Sequence, residues 1–173
     1  MNTNLTIRPF VPADAQAFHD LSLAWIAAFF AVEPKDAQTL SDPQSAILAP
    51  GGAIFVAELD GSIVGCVALL PMPEHSYEVA KMAVAPEAQG RGAGRRLMTA
   101  AIDWAREQGA KRLYLESNAR LTPALRLYEA AGFRHLSEEE RTVSPYARAD
   151  VFMELRLTEA ARIEEAAQTR PEA

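Results

Sequence analysis

The spacing of apolar residues along the chain switches several times between a period of two and a period of three to four. Each switch marks an element. Leu5 and Ile7 alternate with Thr6 and Arg8, predicting a first strand that Pro9 and Pro12 close. Asp14 to Val32 carries a helical stripe through Ala17, Leu21, Trp25, Ala28 and Phe29, stopped by Pro34. Trp25 and Phe29 are expected in the core, with Phe30 off the stripe. Lys35 to Leu48 is helical again, divided by Pro43 into two short pieces. Ala53 to Leu59 and Ser62 to Leu70 read as strands, joined by Asp60-Gly61, a strong hairpin signal. A loop is expected at Pro71-Met72-Pro73 and a short strand over Val79 to Val84. Leu97, Ala100, Ala101 and Trp104 then recur at helical spacing up to Gly109, a natural cap. Lys111 to Ser117 is a strand. Thr122 supplies a capping hydroxyl before Pro123 at the first helical position. Ala124, Leu127, Tyr128 and Ala131 form that helix's buried face, and Gly132 closes it. Phe133 to Leu136 starts another strand, Glu138 to Arg141 is a charged connection, and Asp150 to Leu157 alternates as the last strand. Strand hairpins beside strand–helix units predict a mixed α/β sheet with helices on both faces. Residues 1–157 form one domain; 158–173, rich in Ala and Glu without a large apolar face, read as a frayed helix or a disordered tail.

Composition narrows the class. The 173 residues suit one domain, and 49% hydrophobic with 23% charged residues is the mix of a soluble globule with a real core. A net charge of −6 argues against general nucleic-acid binding and mildly favours a cationic partner. Cys66 is the only cysteine, so no internal disulfide can form and a cytoplasmic setting is the simpler expectation. It sits in an apolar strand, as a buried inert thiol does. No secretory signal, no membrane-length apolar run and no metal-ligand cluster is evident, and the three histidines are scattered.

The chemistry concentrates at Gln89-Gly90-Arg91-Gly92-Ala93-Gly94, between the predicted strand at Val79 to Val84 and the following helix. A helix N-terminus offers unpaired N–H groups and partial positive charge. Glycines let a large anion approach the backbone, and Arg91, Arg95 and Arg96 add full charges. The expected ligand is a phosphate or pyrophosphate. No Gly-Lys-Ser/Thr follows, so this is not a Walker loop. About 20 residues on, where a dinucleotide fold places a ribose-binding acid, stands Gly109-Ala110-Lys111.

The remaining pattern, Gln/Arg-x-x-Gly-x-Gly/Ala, is met by Gln89, Gly92 and Gly94 and resembles the acetyl-CoA loop of the GCN5-related N-acetyltransferases (GNAT family). Leu127-Tyr128-Glu129-Ala130-Ala131-Gly132-Phe133 resembles the family's Leu-Tyr-x-x-x-Gly-Phe segment at the expected distance. The close of the chain, Tyr146 to Leu155, is similar to many small bacterial members. The resemblance covers nearly everything from Leu5 to Leu157. It implies an α/β fold with a mixed, mostly antiparallel central sheet, splayed central strands and helices on both faces. It also implies acetyl-CoA as co-substrate, no metal, and direct transfer to a primary amine of a small molecule, peptide or protein in a ternary complex. Backbone groups of Met82, Ala83 and Val84 would hold pantetheine and the acetyl oxygen; Gly90 to Arg95 would take the pyrophosphate. Tyr128 matches the residue that protonates the leaving thiolate. Glu78 and Glu116 each match a family position for the general base, and Glu78 is expected to share strand parity with Met82 and Val84. Where members carry a cofactor-contacting asparagine, this chain has Leu121, with Asn118 nearby as a substitute. Members are often dimers, which allows a homodimer here.

Each of these residues has a plainer reading. Tyr128 can be a core aromatic. Glu78 and Glu116 can be exposed strand residues or contacts for a cationic acceptor, the amine losing its proton to water. Phe30 either lines the acceptor pocket or packs under a loop; Glu33 and Asp36 either bind the acceptor or sit in a solvated loop. A non-catalytic acyl-CoA-binding module is the alternative function, and a longer acyl chain is open. The acceptor itself is not encoded in either motif.

Overall fold

The computed structural model describes residues 4–157; the predicted tail lies outside them. Seven strands form one sheet: β1 (Leu5–Pro9), β2 (Ala53–Leu59), β3 (Ser62–Met72), β4 (Ser76–Val84), β5 (Arg112–Ser117), β6 (Arg134–His135) and β7 (Val151–Arg156). Their order is β1-β2-β3-β4-β5-β7-β6. Every neighbouring pair is antiparallel except β4 and β5.

Four α-helices cover the sheet: α1 (Ala15–Phe29), α2 (Pro34–Ser41), α3 (Ala93–Glu107) and α4 (Thr122–Ala130). On one face, Leu97, Met98, Ala101 and Ala105 of α3 pack on Val64, Val67, Leu69, Leu113 and Met153. On the other, Phe18 and Ile26 of α1, Leu40 of α2 and Ile47 pack on Ile54, Val56, Cys66 and Ala68. Alternate residues of β2 and β3 thus serve two separate cores, as the period of two requires.

Several expectations shift. α1 ends at Phe29, and its buried stripe is Phe18, Ser22 and Ile26, rotated by one position from the predicted one. The stripe hides a serine, whose hydroxyl meets the Cys66 thiol at 3.7 Å. Phe29 therefore points outward, 51% exposed, stacked on Trp25 rather than in the core. The region after α2 divides at Pro43 as expected, the second piece being a π-helical turn, Gln44–Leu48. Instead of a loop at Pro71, β3 continues to Met72 and pairs with β4 from Ser76 onward. By then β2 has ended, its last partner on β3 being Leu69, so β3 has an open side that tolerates a proline. Thr122 is not the cap of α4: Leu121 occupies that position, without a side-chain cap.

Gly65 of β3 lies where α3, β2 and β4 converge. A Cβ there would stand 3.1 Å from Leu97 Cδ1, 3.2 Å from Ala57 Cβ and 3.3 Å from the Ala83 carbonyl. Gly65→Ala is expected to destabilise the fold by about 1–3 kcal/mol through overpacking, read as a lower urea midpoint at unchanged slope. An unchanged midpoint would mean α3 can move away freely.

Candidate active site

β4 and β5 pair only over Ser76, Tyr77 and Glu78, opposite Arg112, Leu113 and Tyr114. Beyond that, β4 stays with β3 while β5 follows β7, so the two strands diverge into a cleft. Backbone groups of β4 on the side away from β3 are thereby released from the ladder. The cleft is lined from β4 by Glu78 to Ala83, from β5 by Glu116 and Ser117, from α1 by Trp25 and by Phe30 just past its end, and from α4 by Tyr128.

A bulge sits in the β4 wall. Ala80 faces Ala68 and Ala83 faces Cys66, so Lys81 and Met82 together oppose one residue of β3, and Lys81 takes a left-handed φ of 53°. The bulge overturns the expected parity: Glu78 shares its face with Ala80 and Ala83, whereas Met82 and Val84 pack with Val79 towards α3. Simple alternation cannot anticipate an inserted residue.

After β4, a single turn at Pro86–Ala88 leads into the glycine loop. The Gln89 amide donates to the Val84 carbonyl at 3.3 Å, tying the loop to the end of β4. Gly90 (φ 78°) and Gly92 (φ 81°) both adopt the left-handed conformation that other residues resist, and Gly92 is the N-cap of α3. The N–H groups of Ala93, Gly94 and Arg95 open the helix and have no intrahelical acceptor. Gly94 faces Leu127 and Val84, so this helix start sits directly beside α4 and β4. Arg91 and Arg95 are exposed. Arg96 departs from expectation: its guanidinium donates to the Leu5 carbonyl and so braces β1. These N–H groups, the two free guanidiniums and the diverging strands suit a long phosphate-bearing ligand running from the helix start into the cleft.

Tyr128 is placed by the end of its helix. Gly132 (φ 100°) and Phe133 complete a Schellman cap, with the Phe133 N–H donating to the Tyr128 carbonyl at 3.0 Å and the Gly132 N–H to Glu129 at 3.0 Å. The Phe133 ring packs 6.2 Å from the Tyr128 ring. The spacing Leu-Tyr-x-x-x-Gly-Phe is thus a helix cap that aims a tyrosine. Burial alone pushes the Tyr128 hydroxyl up to about 12, so it stays protonated at neutral pH.

The two glutamates differ. Glu78 is half-buried, and burial first, then the neighbouring Glu116 charge, push its carboxyl up to about 7. Glu116 is fixed by its surroundings: Ser144 donates to one oxygen at 2.7 Å and the Tyr114 hydroxyl approaches the other at 3.4 Å. Asn118 lines the cleft but spends its amide on the Arg148 carbonyl (2.8 Å) and its oxygen on the Arg120 N–H (2.9 Å). Leu121 is buried beside it.

Of the residues that wall the cleft, sequence reasoning did not single out Lys81, Tyr146 and Arg148; Asp36, weighed there as an acceptor contact or a solvated loop residue, lies buried behind them. Asp36 is fully buried; it accepts from Lys81 Nζ at 2.6 Å and from both Nη atoms of Arg148 at 2.8 Å. Burial opposes its charge, but the bonds from Arg148 and Lys81 outweigh it and hold the carboxyl well below the usual range. Glu33 accepts from Arg148 at 3.2 Å and from the Ala147 N–H at 3.0 Å. Phe30 lines the cleft, with the Arg120 guanidinium 4.9 Å from its ring centre. Tyr146 stands between Lys81, 5.0 Å from its ring centre, and Arg148, 4.4 Å away. The signal was present as alternation of hydrogen-bonding side chains, Thr142, Ser144, Tyr146, Arg148 and Asp150, in a stretch without apolar periodicity.

Residues 17–133 match the sequence model of the family described as Acetyltransferase (GNAT) family. The chain belongs to the GNAT family. An uncharacterized N-acetyltransferase of Escherichia coli (strain K12), YjgM, is 38% identical over 90 residues, 50% of this chain and 54% of that protein. The mycothiol acetyltransferase of Thermomonospora curvata is 33% identical over 150 residues, 82% of this chain and 48% of that protein. The chain thus spans about half the length of the curated relatives it matches. Among solved structures, a GNAT-family acetyltransferase from Staphylococcus aureus Mu50 superposes with a TM-score of 0.82 at 18% identity, covering 89% of this chain and 99% of that one. YncA of Salmonella typhimurium, described as a putative acetyltransferase with its cofactor acetyl-CoA, gives 0.71 at 24% identity, covering 90% and 95%. These likenesses establish the GNAT fold. The family match contains the glycine loop, both glutamates and Tyr128 but ends before the stretch from Thr142 to Asp150. Among the described residues, no group of three or more His, Cys, Asp or Glu could hold a metal ion, and no helix is long and apolar enough to cross a membrane.

Proposed function

We propose that this chain is an acetyl-CoA-dependent N-acetyltransferase acting in the cytoplasm on a primary amine, by direct attack within a ternary complex. The observation that carries the reading is the pairing, in one cleft, of a carboxyl tuned to about 7 with a tyrosine held protonated near 12. Acetyl transfer to an amine is helped by a base available near neutrality and by an acid that is protonated before the reaction; groups whose environments push them apart fit those roles.

In this reading Glu78 takes a proton from the acceptor amine, directly or through one water. Glu116, held by Ser144, raises the basicity of Glu78 and presents a second negative charge to a cationic acceptor. The released backbone of β4 around Met82, Ala83 and Val84 offers N–H groups to the acetyl oxygen, where preorganised donors act most strongly. N–H groups from Gly90 to Arg95, with Arg91 and Arg95, hold the pyrophosphate. Acetyl-CoA supplies the activated thioester. Tyr128 presents its O–H to the departing sulfur. Phe30 flanks the acceptor, and Glu33 shapes that side through Arg148.

Isothermal titration tests the loop assignment. Acetyl-CoA is expected to bind, and Gly92→Glu to weaken it by about 100-fold, or roughly 2.7 kcal/mol, by placing a carboxylate among the pyrophosphate donors. A Cβ at position 92 meets nothing nearer than Arg95 Nη2 at 3.9 Å, but the left-handed φ of 81° strains any side chain there. Gly92→Ala carries the same strain without the charge and is the control, expected to lose far less affinity than Gly92→Glu. Thiol release with a panel of primary amines then identifies the acceptor. Failure to bind acetyl-CoA, CoA and longer acyl-CoAs alike would overturn the proposal.

A further inference from the structure

The stretch between the β6 and β7 strands is held down at every second residue. Thr142 meets the Tyr114 hydroxyl at 3.1 Å. Ser144 donates to Glu116 at 2.7 Å. The Tyr146 hydroxyl accepts from Lys81 at 3.2 Å. Arg148 forks onto Asp36, and Asp150 accepts from the Ala119 N–H at 2.8 Å. Of the residues between, Val143, Pro145 and Ala147 are exposed, Val143 fully, and Ala149 packs inward beside Leu136 and Phe152. This is a strap with one polar side, and that side forms the cleft wall carrying Tyr146, Arg148 and Ala149.

Its anchor is Asp36, which belongs to α2 and does not itself line the cleft. The single buried carboxylate engages two elements at once: Arg148 of the strap, and Lys81 at the bulge of β4. Lys81 holds a backbone conformation that its side chain disfavours, and such strain persists only where the surroundings over-determine it. The ion pair to Asp36, the bond to Tyr146 and the packing of its ammonium against the Tyr146 ring supply that determination.

We propose that Asp36 is a positioning residue that works through two arms: through Arg148 it fixes the strap, and with it Ser144 and Glu116 on the acceptor side; through Lys81 it fixes the bulge and the ammonium that faces Glu78. The inference rests on the acetyltransferase reading for its purpose, but the coupling is a property of the fold and is measured without an acceptor.

The two arms can be cut separately. Arg148→Met leaves Asp36 paired with Lys81, and Lys81→Met leaves it paired with Arg148, so neither variant orphans the buried carboxylate. Backbone hydrogen exchange reads the strap at Tyr146, Ala147 and Asp150, whose N–H groups are bonded to Ser144, Glu33 and Ser117. Carboxyl carbon NMR reads the titration of Glu78, whose charged neighbours are Glu116, Lys81 and Lys35.

Arg148→Met should speed strap exchange about tenfold or more, leave α3 unchanged and move the Glu78 midpoint less than Lys81→Met does, its only route being a loosened Glu116. Lys81→Met should raise the Glu78 midpoint, because an attractive positive charge is lost, and should speed strap exchange less than Arg148→Met does, since only the Tyr146 tether goes while Arg148 keeps its fork on Asp36. Arg148→Lys, which keeps the charge but not the fork, should restore part of the protection. Acetyl-CoA affinity should stay within about twofold in the two Arg148 variants, which lie away from the glycine loop and the β4 backbone. A crossed pattern supports the proposal. If both variants move both readouts to the same extent, or either moves neither, Asp36 is only a folding element. Loss of acetyl-CoA binding in the unmodified protein would instead strike the acetyltransferase reading and leave the crossed pattern intact.

Discussion

Tyr128→Phe should cut kcat by about 10²- to 10³-fold, the usual cost of one preorganised donor, while acetyl-CoA binds as before. The ring that packs against Phe133 is retained, so the helix cap and the fold should survive. The magnitude follows from the chemistry of the hydroxyl. At about 12 it lies well above a reference thiol near 8.5, so complete proton transfer to a thiolate is uphill by roughly 5 kcal/mol. Its contribution is then a hydrogen bond to sulfur that strengthens as negative charge develops, which is why the effect falls on kcat. Steady-state kinetics beside isothermal titration measure both quantities. Unchanged turnover would remove Tyr128 from the acid role, and a protein that binds acetyl-CoA without turning it over in any form would be an acyl-CoA-binding module.

How much of this was legible in the sequence follows from which interactions are local. The glycine loop and the Tyr128 segment are short-range devices: left-handed glycines, an N-cap and a Schellman cap are written in consecutive residues, and both motifs stand where expected. The order of elements along the chain and both helical layers follow from periodicity and strand–helix alternation, whereas the spatial order of the strands, with β7 between β5 and β6, does not. What failed depended on distant partners. The side chain at the Lys81 bulge is held by Asp36, 45 residues earlier, and the bulge reversed the side on which Glu78 lies. The buried stripe of α1 passes through Ser22, which is tolerable only because Cys66 faces it from β3. Arg96 reads as a phosphate ligand until β1 is seen beneath it. The strap is polar and aperiodic in helical terms, so hydrophobic patterning assigned it nothing.

Glu78→Gln tests the other half of the chemistry and should do two opposite things. It should lower turnover by about 10²- to 10⁴-fold, as expected for loss of a positioned base. In the unmodified protein kcat/KM should rise with pH to a plateau above about 7, the carboxyl being active only when ionised; the variant should lose that limb. At the same time it should become more stable than the parent at pH 8. The sign follows from proton linkage. A folded-state value near 7 against an unfolded value near 4.3 means that the folded chain binds the proton more tightly. Between those two values each rise in pH costs the parent stability, and above 7 the whole cost, about 1–3 kcal/mol for a half-buried group, is present. Glutamine does not ionise and escapes it, so the two proteins should match near pH 4 and diverge up to pH 7. Denaturant midpoints across that range measure the divergence. A variant with lower turnover but no gain in stability would assign Glu78 to acceptor binding in an unperturbed state. One with the stability gain but intact turnover and pH limb would move the base to Glu116, whose oxygens Ser144 and Tyr114 already orient.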